Sequence, residues 1–506
     1  MKTVQKPYFR NSCGVLFLGL GILSFFICLF QAFGQDIWYD EVFSVNFIKH
    51  SYGEIAALTA KDVHPPLYYW YLKLFHDVGK TLVPGVSSMV LCKLASILPF
   101  VGILIYTLTG IRKLFGFPVA GLFWFLVMTM PQISNYTVEI RMYSLALFFI
   151  TALFVHSCEI VRNVKGNLSW LGFFLYGILT AYTQYYACVA VIAVYLALFV
   201  WFFIVEKKGI RKLLICAGLS VILYLPWLPS FISQVQKVSS SYWIQPLTWK
   251  SIFGCMKYVF LPISYATTKN YVLACLMIAV FGITFLHSIL KKKQILENRY
   301  VLLCGIWIPV FTALIGFICS LLDRPIFVYR YLIPCLGAMW LVAAIVLWNV
   351  IERYWGLLLF VPFLMAGYSN MQGFYAEENK KLVQLEATES FLADFPEDAV
   401  VLCNFDHVQA VTACYLESSN TIYLYGSSPE ELVAQLLPQC QAFENVEELS
   451  ELVKTKDVYF FGSFNSREDL LKQWEQEGIS YTEEGTYLLE RYYFNVYRLS
   501  SNSSVE

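Results

Sequence analysis

Residues 12–33 read SCGVLFLGLGILSFFICLFQAF, an apolar run interrupted only by Gly, Ser and one Gln. A helix that crosses the hydrocarbon core of a bilayer needs roughly 20 such residues. Lys2, Lys6 and Arg10 precede the run, and no small-residue cleavage site follows it. The stretch therefore predicts an uncleaved signal anchor, the first of a series of membrane spans.

Similar runs recur along the chain, which has 506 residues, 58% of them hydrophobic and 14% charged. Soluble domains are about half apolar and about a quarter charged, so too little polar sequence is present to cover several soluble domains. The composition predicts an all-α polytopic membrane domain embedded in a lipid bilayer. About eleven spans are expected, near 12–33, 90–110, 117–135, 142–161, 169–186, 187–205, 213–231, 271–290, 300–321, 330–350 and 356–371.

Cations fall on alternate short connections between these runs, as one cytoplasmic side requires. They are Arg112 and Lys113, then Arg162 and Lys165, then Lys207, Lys208, Arg211 and Lys212, then Lys291, Lys292, Lys293 and Arg299, and finally Arg353. This pattern predicts a multi-pass protein of the cell membrane with a cytoplasmic amino terminus. An odd number of spans then places the carboxyl terminus outside.

The rest of the composition excludes other classes of protein. The net charge is zero, so nothing favours binding to nucleic acid. The 14 cysteines lie mostly inside apolar runs without metal-ligand spacing, which is typical of small core residues and not of a disulfide framework or a zinc site.

The last part of the chain differs from the membrane region. Short strands are expected at 400–402, 421–425 and 458–461, helices at 428–437 and 466–477, and a hairpin between Thr486 and Leu499. We therefore predict two domains. Residues 1–372 form the membrane domain with long outer loops at 34–89 and 232–270, and residues 373–506 form a small extracytoplasmic α/β domain, interpreted as a lid or a partner-binding appendage.

The first outer loop opens with Asp36-Ile37-Trp38-Tyr39-Asp40-Glu41. Two adjacent carboxylates directly after a span are costly at that depth unless they are used. Asp40 could cap a helix that starts near Glu41. Alternatively, Asp40 is a general base and Glu41 is its metal-binding or hydrogen-bonding partner.

The same loop continues with Asp62-Val63-His64-Pro65-Pro66-Leu67. Two consecutive prolines cannot lie inside a helix and restrict the residue before them to an extended conformation. The motif could be an ordinary helix entry. In the functional interpretation, the prolines hold Asp62 and His64 rigidly near the membrane surface.

Two further charged clusters fall on the same predicted face. Glu139 and Arg141 lie between the third and fourth spans, and Arg330-Tyr331 follows Asp323-Arg324 just before a later span. An interfacial ion pair and a snorkelling arginine are the simpler interpretations. Both arginines also suit binding of a lipid phosphate.

Carboxylates, a histidine and cations thus converge on one membrane face from distant connections. Transfer of a sugar from a lipid phosphate needs a base for the acceptor proton and cations or a metal for the departing phosphate. No cofactor is certain, but Glu41, Asp62 and His64 are candidate ligands for a divalent ion such as Mg, Mn or Zn. The short cytoplasmic loops leave no room for a nucleotide-sugar domain.

These motifs resemble the GT-C superfamily of membrane glycosyltransferases, and especially protein O-mannosyltransferases, lipid A aminoarabinose transferases and their bacterial relatives. The resemblance is based on Asp40-Glu41, the Asp62–Leu67 motif, the Glu139–Tyr143 run and Arg330-Tyr331-Leu332, and it covers roughly the first 370 residues. It implies an inverting transfer from a polyprenyl-phosphate-linked sugar to an extracytoplasmic glycan, lipid or protein.

The resemblance also implies a role for each residue. Asp40 would be the catalytic base and Glu41 would place the acceptor or a metal. Asp62, His64 and Glu139 would line the site, and the donor phosphate would be bound by Arg141, Arg330 and Tyr331. The chain departs from the aminoarabinose transferases at Val63-His64, where they have Glu-Lys, and from the O-mannosyltransferases at Tyr68-Tyr69, where they have Gly-Lys.

Two other functions are compatible with many spans and buried charges. A transporter or a flippase for lipid-linked glycans would be expected to show repeated halves and charges at the midplane, whereas these charges cluster at one face. A non-catalytic assembly subunit would use the carboxyl-terminal domain for interaction and would tolerate loss of Asp40.

Overall fold

The computed structural model describes residues 7–34, 36–238, 244, 246–262, 267–291, 296–322, 324–350, 354–416 and 418–501. Asp323 and some of the cations used to predict topology lie outside the described residues, namely Lys2, Lys6, Lys292, Lys293 and Arg353. The chain divides into two compact units. The first comprises Met1–Phe33, Thr59–Tyr71 and Lys93–Ala376, and the second comprises Gly34–Leu58, Leu72–Cys92 and Glu377–Glu506.

Helices dominate the chain as far as residue 393. In order they are α1 (Pro7–Gln31), α2 (Tyr39–Phe47), α3 (Tyr52–Thr59), α4 (Leu67–Leu82), α5 (Ser88–Tyr106), α6 (Arg112–Phe115), α7 (Phe117–Thr129), α8 (Tyr143–Val161), α9 (Asn167–Ala181), α10 (Tyr185–Ile204), α11 (Ile210–Tyr224), α12 (Leu228–Val238), α13 (Lys250–Phe260), α14 (Thr268–Leu290), α15 (Leu296–Leu322), α16 (Ile333–Asn349) and α17 (Val361–Ala393). A π-helical turn (Thr107–Ile111) joins α5 to α6, and a 3-10 turn (Tyr329–Leu332) leads into α16.

Among the described residues, nine helical segments are long and apolar enough to cross a membrane. The two other expected spans form α7 and α9, which are apolar but have only 13 and 15 residues. At 1.5 Å per residue, α7 covers about 20 Å of a hydrocarbon core that is about 30 Å thick. The predicted all-α polytopic membrane domain is confirmed, and the protein is a multi-pass integral membrane protein.

The short helix α7 is enclosed by other parts of the protein. Residues 118–129 are all buried, and α1 and α16 pack against it. A Cβ atom on Gly121 would collide with the carbonyl oxygen of Gly14. Small residues at this crossing therefore let the backbones of α1 and α7 approach closely, as in other membrane helix pairs.

The carboxyl-terminal part is a mixed α/β domain, as predicted. Its elements are β1 (Val400–Cys403), α18 (Asp406–Thr412), β2 (Thr421–Tyr425), α19 (Glu431–Leu436), β3 (Cys440–Phe443), α20 (Val446–Thr455), β4 (Val458–Gly462), α21 (Ser466–Gln476), β5 (Ile479–Leu489) and β6 (Tyr492–Ser501). The predicted strands are β1, β2 and β4, and the predicted hairpin falls within β5 and β6. The sequence interpretation did not include β3, α18 or α20.

The sheet has the order β3-β2-β1-β4-β6-β5, with the first four strands parallel and β6 antiparallel to both neighbours. Strand β1 is central, and all four of its residues are buried. Such a continuous apolar run is expected of a parallel strand that is covered on both faces. Leu402, Phe460 and Trp474 belong to the buried core.

The second unit joins this domain to parts of the first outer loop. Helix α2 packs against α18 and α19, and most of its residues are buried. The expected boundary between residues 372 and 373 falls inside α17 and stays a prediction. Residues 34–58, which carry Asp40 and Glu41, are grouped with residues 377–506.

Candidate active site

The first unit holds Asp62 and His64 in a turn between α3 and α4. Pro65 and Pro66 are buried, and α4 begins directly after them at Leu67. The Leu67 amide donates to the carbonyl of Tyr182 at 3.1 Å, which ties the turn to the end of α9. The prolines therefore end the turn and start a helix, and they leave the two polar side chains in a fixed segment.

A second anchor lies just before Asp62. Gln234 of α12 is buried, and its side-chain amide donates to the carbonyl of Thr59, the last residue of α3, at 2.7 Å. The Tyr185 hydroxyl donates to the Gln234 side-chain oxygen and accepts from the Trp227 indole at 3.0 Å. The Asp62 segment is thus held from both ends.

Arg141 completes a polar chain with these residues. Its guanidinium lies 3.4 Å from His64 Nε2, and His64 Nδ1 lies 3.2 Å from an Asp62 carboxylate oxygen. An arginine can only donate, so Nε2 must accept and the ring proton must be on Nδ1, which donates to Asp62. The contacts therefore fix His64 as a neutral ring between a cation and an anion.

Burial and charge act in opposite directions on Asp62. Burial would raise the pKa of this carboxyl, but the hydrogen bond from His64 and the positive charge of Arg141 outweigh it and lower the pKa below its ordinary value. Asp62 is therefore an ionised carboxylate at neutral pH. The stabilisation that it provides is present above its unfolded pKa and is lost as the pH falls through its lower folded pKa.

Arg141 is only 4% exposed and lies in the turn that leads into α8. Its amide donates to the Glu139 carbonyl at 2.8 Å. Lys93 of α5, also buried, donates to the adjacent carbonyl of Val138 at 3.3 Å. The sequence interpretation missed Lys93, although a lone lysine inside an apolar run is itself a signal of function.

Arg330 lies among tyrosines in the same unit. Its guanidinium carbon is 5.9 Å from the ring centroid of Tyr143, two residues after Arg141. Tyr143 faces Tyr136 edge-on, and the Tyr136 hydroxyl is 3.0 Å from the hydroxyl of Tyr258. The charges of Glu139 and Arg330 both act on Tyr258. The structure thus brings Glu139 and Arg330 together around Tyr258, which the sequence interpretation missed.

Tyr331 follows Arg330 directly, but its ring packs against Tyr186. Its ring stacks on Tyr186 with centroids 4.3 Å apart and an interplanar angle of 16°. The edge of Phe327 approaches Tyr331 at 6.3 Å. These contacts support the turn that carries Arg330, whereas direct phosphate binding by Tyr331 stays a prediction.

Asp40 and Glu41 belong to the second unit, in the first turn of α2. Glu41 is 2% exposed, and its carboxylate accepts from the Trp38 amide at 3.0 Å. Glu41 therefore caps the amino terminus of α2, the task considered for Asp40 in the simpler interpretation. Asp40 is partly exposed, and its charge acts on Tyr39, His407 and Tyr492.

Few side chains in the described residues are placed to ligate a divalent metal ion. Within the described ranges, no group of three or more His, Cys, Asp or Glu side chains could hold a metal. Asp62 and His64 form only a pair, and the second ring nitrogen of His64 faces the Arg141 guanidinium, which repels a metal cation. The described residues therefore do not fit a resident divalent ion.

No family model matches the chain, and no curated protein matches it in sequence. Its fold nevertheless matches two crystal structures of ArnT from Cupriavidus metallidurans. The structure in the apo state is 12% identical with a TM-score of 0.59, and the structure bound to undecaprenyl phosphate is 13% identical with a TM-score of 0.60. Each comparison covers 97% of this chain and 98% of ArnT. The chain therefore has the fold of ArnT over nearly its whole length.

Proposed function

We propose that this protein transfers a sugar from a polyprenyl-phosphate carrier to an acceptor on the outer face of the membrane. The observation that carries the proposal is the Arg141–His64–Asp62 chain in the first unit, in which Arg141 is buried. The fold adds support, because ArnT, which shares it over nearly its whole length, has been crystallised with undecaprenyl phosphate. The sugar and the acceptor are left open as a glycan, a lipid or a protein.

The charges of the first unit suit an anionic headgroup. On the predicted outer face, the charged residues of this unit include the cations Lys93, Arg141 and Arg330 and the carboxylates Asp62 and Glu139. Asp62 contacts Arg141 through the His64 ring. Arginine binds phosphate with paired, charge-assisted hydrogen bonds. We assign Arg141 and Arg330 to the donor phosphate, with Tyr331 beside them.

The proposed reaction is a single displacement at the anomeric carbon. Asp40 accepts the proton of the acceptor hydroxyl as its oxygen forms a bond to that carbon. The bond from the anomeric carbon to the phosphate oxygen breaks, and its electron pair stays with the departing polyprenyl phosphate. The two arginines stabilise the charge that develops there. Attack opposite the leaving group inverts the configuration.

Sugar transfer by purified protein in lipid vesicles tests this function. Radiolabelled polyprenyl-phosphate sugars are offered with a panel of acceptors to the parent chain and to Asp40→Asn. We expect label to leave one donor with the parent, and the rate with Asp40→Asn to fall by at least about 100-fold, because general-base catalysis contributes about 10²–10⁴-fold. Asn keeps the shape of Asp, so folding and membrane insertion should be unchanged.

The matched control is Asp457→Asn in the same unit. Asp457 is half-exposed and pairs with Arg498 at 2.6 Å, and exposed pairs of this kind contribute little to stability. We expect parent activity from this variant. No turnover of any donor, with Asp40→Asn still rescuing cells that lack the protein, would instead favour a transporter, a flippase or a non-catalytic assembly subunit.

A further inference from the structure

The residue next to Asp40 is enclosed by side chains of the carboxyl-terminal domain. The ring of Tyr39 stacks on His407 of α18, with centroids 3.9 Å apart and planes 16° from parallel. Its hydroxyl donates to the carboxylate of Glu430 at 2.9 Å. The His407 ring in turn meets the ring of Tyr492 edge-on, with centroids 5.3 Å apart. The ring face and the hydroxyl of Tyr39 are therefore both held within the second unit.

The residues before Tyr39 are held in the same way. The guanidinium of Arg491 lies over the Trp38 ring at 4.8 Å from its centroid. Arg491 pairs with Glu490 at 2.8 Å, and Glu490 pairs with Lys381 of α17 at 2.6 Å. The hairpin turn between β5 and β6 thus supplies Arg491, which lies over the Trp38 ring, and Glu490, which pairs with Arg491.

The rest of α2 is also seated on the carboxyl-terminal domain. Helices α18 and α19 pack against it. The Asn46 side chain donates to the Val42 carbonyl at 2.7 Å and approaches the Cys414 sulfur at 3.5 Å. Phe47 is fully buried. The helix that carries Asp40 therefore takes its position from residues more than 350 positions later in the chain.

We propose that the carboxyl-terminal domain positions the catalytic carboxylate, with His407 and Glu430 holding Tyr39 so that Asp40 is held in the first turn of α2. This inference rests on the proposed function, because it takes Asp40 as the base. The domain then acts as a structural part of the catalytic apparatus, in contrast to the lid or appendage expected from the sequence. His407 is a positioning residue, since it acts through Tyr39.

The contacts of Tyr39 with His407 and with Glu430 have different effects. Stacking on His407 fixes the plane of the Tyr39 ring. The hydrogen bond to Glu430 fixes its far end, and a packing role alone would not need the hydroxyl. Displacement of a reacting group by about 1 Å can cost about 100-fold in rate. Loss of the stack should therefore reduce turnover more than donor binding.

Four variants separate positioning from folding. His407→Ala removes the stack, His407→Phe keeps a flat ring in its place, and Tyr39→Phe removes only the hydrogen bond to Glu430. Glu451→Gln is the matched control, because Glu451 is exposed on α20 and pairs with Lys454 of its own helix at 2.7 Å. Steady-state transfer gives kcat and the KM for the polyprenyl-phosphate donor.

We expect His407→Ala to lower kcat at least about tenfold while KM for the donor stays within about threefold. His407→Phe should recover most of the loss, Tyr39→Phe should show an intermediate kcat, and Glu451→Gln should match the parent. Parent kcat in His407→Ala would overturn the inference. Equal losses in His407→Phe and His407→Ala would overturn it as well, because a ring at this position would then not suffice.

Hydrogen exchange of the α2 amides provides a readout that needs no sugar transfer. His407→Ala should exchange faster than the parent at residues 39–47 but not in α20, and His407→Phe should match the parent in both. Unchanged exchange of α2 in His407→Ala would overturn the positioning role even in an active enzyme. If the parent transferred no sugar, the proposed function would fail. Faster exchange of the α2 amides in His407→Ala would still show that the carboxyl-terminal domain stabilises α2.

Discussion

Three residues in the first unit set one another's protonation states. Arg141 cannot accept a hydrogen bond, so it requires a lone pair on His64 Nε2, and this places the ring proton on Nδ1 beside Asp62. The order anion, neutral ring, cation follows from the contacts alone. Replacement of His64 by a longer cation would break this order, since Asp62 would then pair directly with the new charge.

Arg330 should contribute to donor affinity. Its guanidinium lies over the ring of Tyr143, and the proposed function assigns it to the donor phosphate together with Arg141. We expect Arg330→Ala to raise the dissociation constant for undecaprenyl phosphate about tenfold or more, because a hydrogen bond to a charged group contributes about 1.5–3 kcal/mol. Binding is measured by quenching of protein fluorescence with the lipid titrated in detergent.

Arg324→Ala is the control for this experiment. Arg324 is exposed and only six residues earlier, so this variant removes the same charge without touching the tyrosine cluster. We expect binding within about twofold of the parent, since exposed charges are largely screened. Equal binding of the lipid by Arg330→Ala and the parent would refute a phosphate contact at Arg330.

At the scale of elements, α2 is too short to be stable by itself. It has nine residues, and isolated helices below about 12–15 residues are marginal in water. The cap by Glu41 and the packing of α18 and α19 supply the missing stabilisation. Conditions that destabilise α18 or α19, such as a change of pH, should therefore destabilise α2 as well.

The stability of the second unit should therefore depend on the protonation of His407. Burial lowers the pKa of His407 below its ordinary value of about 6.5, although the charges of Asp406 and Asp40 oppose the shift. The folded chain then binds this proton less tightly than the unfolded chain does. The free energy of unfolding is fully retained above about pH 6.5 and decreases as the pH falls below it.

His407→Phe should remove this dependence while it keeps the stacked ring. We expect the unfolding temperature of the parent to fall more steeply than that of His407→Phe between about pH 8 and about pH 5. Scanning calorimetry of both proteins in detergent measures the two slopes, and Glu451→Gln should follow the parent. Parallel curves for the parent and His407→Phe would show that His407 does not contribute.

Across the molecule, the sequence predicts individual helices and strands, but it does not predict the contacts between residues that are far apart in the chain. The spans follow from runs of apolar residues, and β1, β2 and β4 follow from short buried runs bounded by turns. The pairing of Tyr39 with His407 has no local signature, because most of the chain lies between them. The chain from Asp62 to Arg141 was partly predictable, since both residues fall on the same predicted face, but its order through His64 depends on side-chain geometry.

The first outer loop illustrates the same limit. Its two motifs, Asp40-Glu41 and Asp62–Leu67, lie in the same predicted loop, yet they belong to different compact units. The role of Glu41 in placing an acceptor or a metal stays a prediction, and its buried carboxylate accepts a hydrogen bond from the Trp38 amide. Hydropathy and motif spacing give no information on which of two neighbouring carboxylates turns inward, because that choice is made by the packing of α2 on a distant domain.

The orientation of the membrane region is the prediction on which outer-face chemistry depends. Arg162 and Lys165 lie between α8 and α9, Lys207 and Lys208 lie between α10 and α11, and the positive-inside rule places both connections in the cytoplasm. The carboxyl-terminal domain then lies outside. Alkaline phosphatase, which is active only outside the cytoplasm, reports the location of the point to which it is fused.

We expect a fusion at the carboxyl terminus to be active and fusions after Val164 and after Lys208 to be inactive, with green fluorescent protein at the same points giving the reverse pattern. Both reporters are needed, because an inactive fusion alone could be an unstable protein. The opposite pattern would place Asp40, Arg141 and Arg330 on the cytoplasmic side. Transfer from a carrier exposed on the outer face would then be impossible, however well the residues bind phosphate.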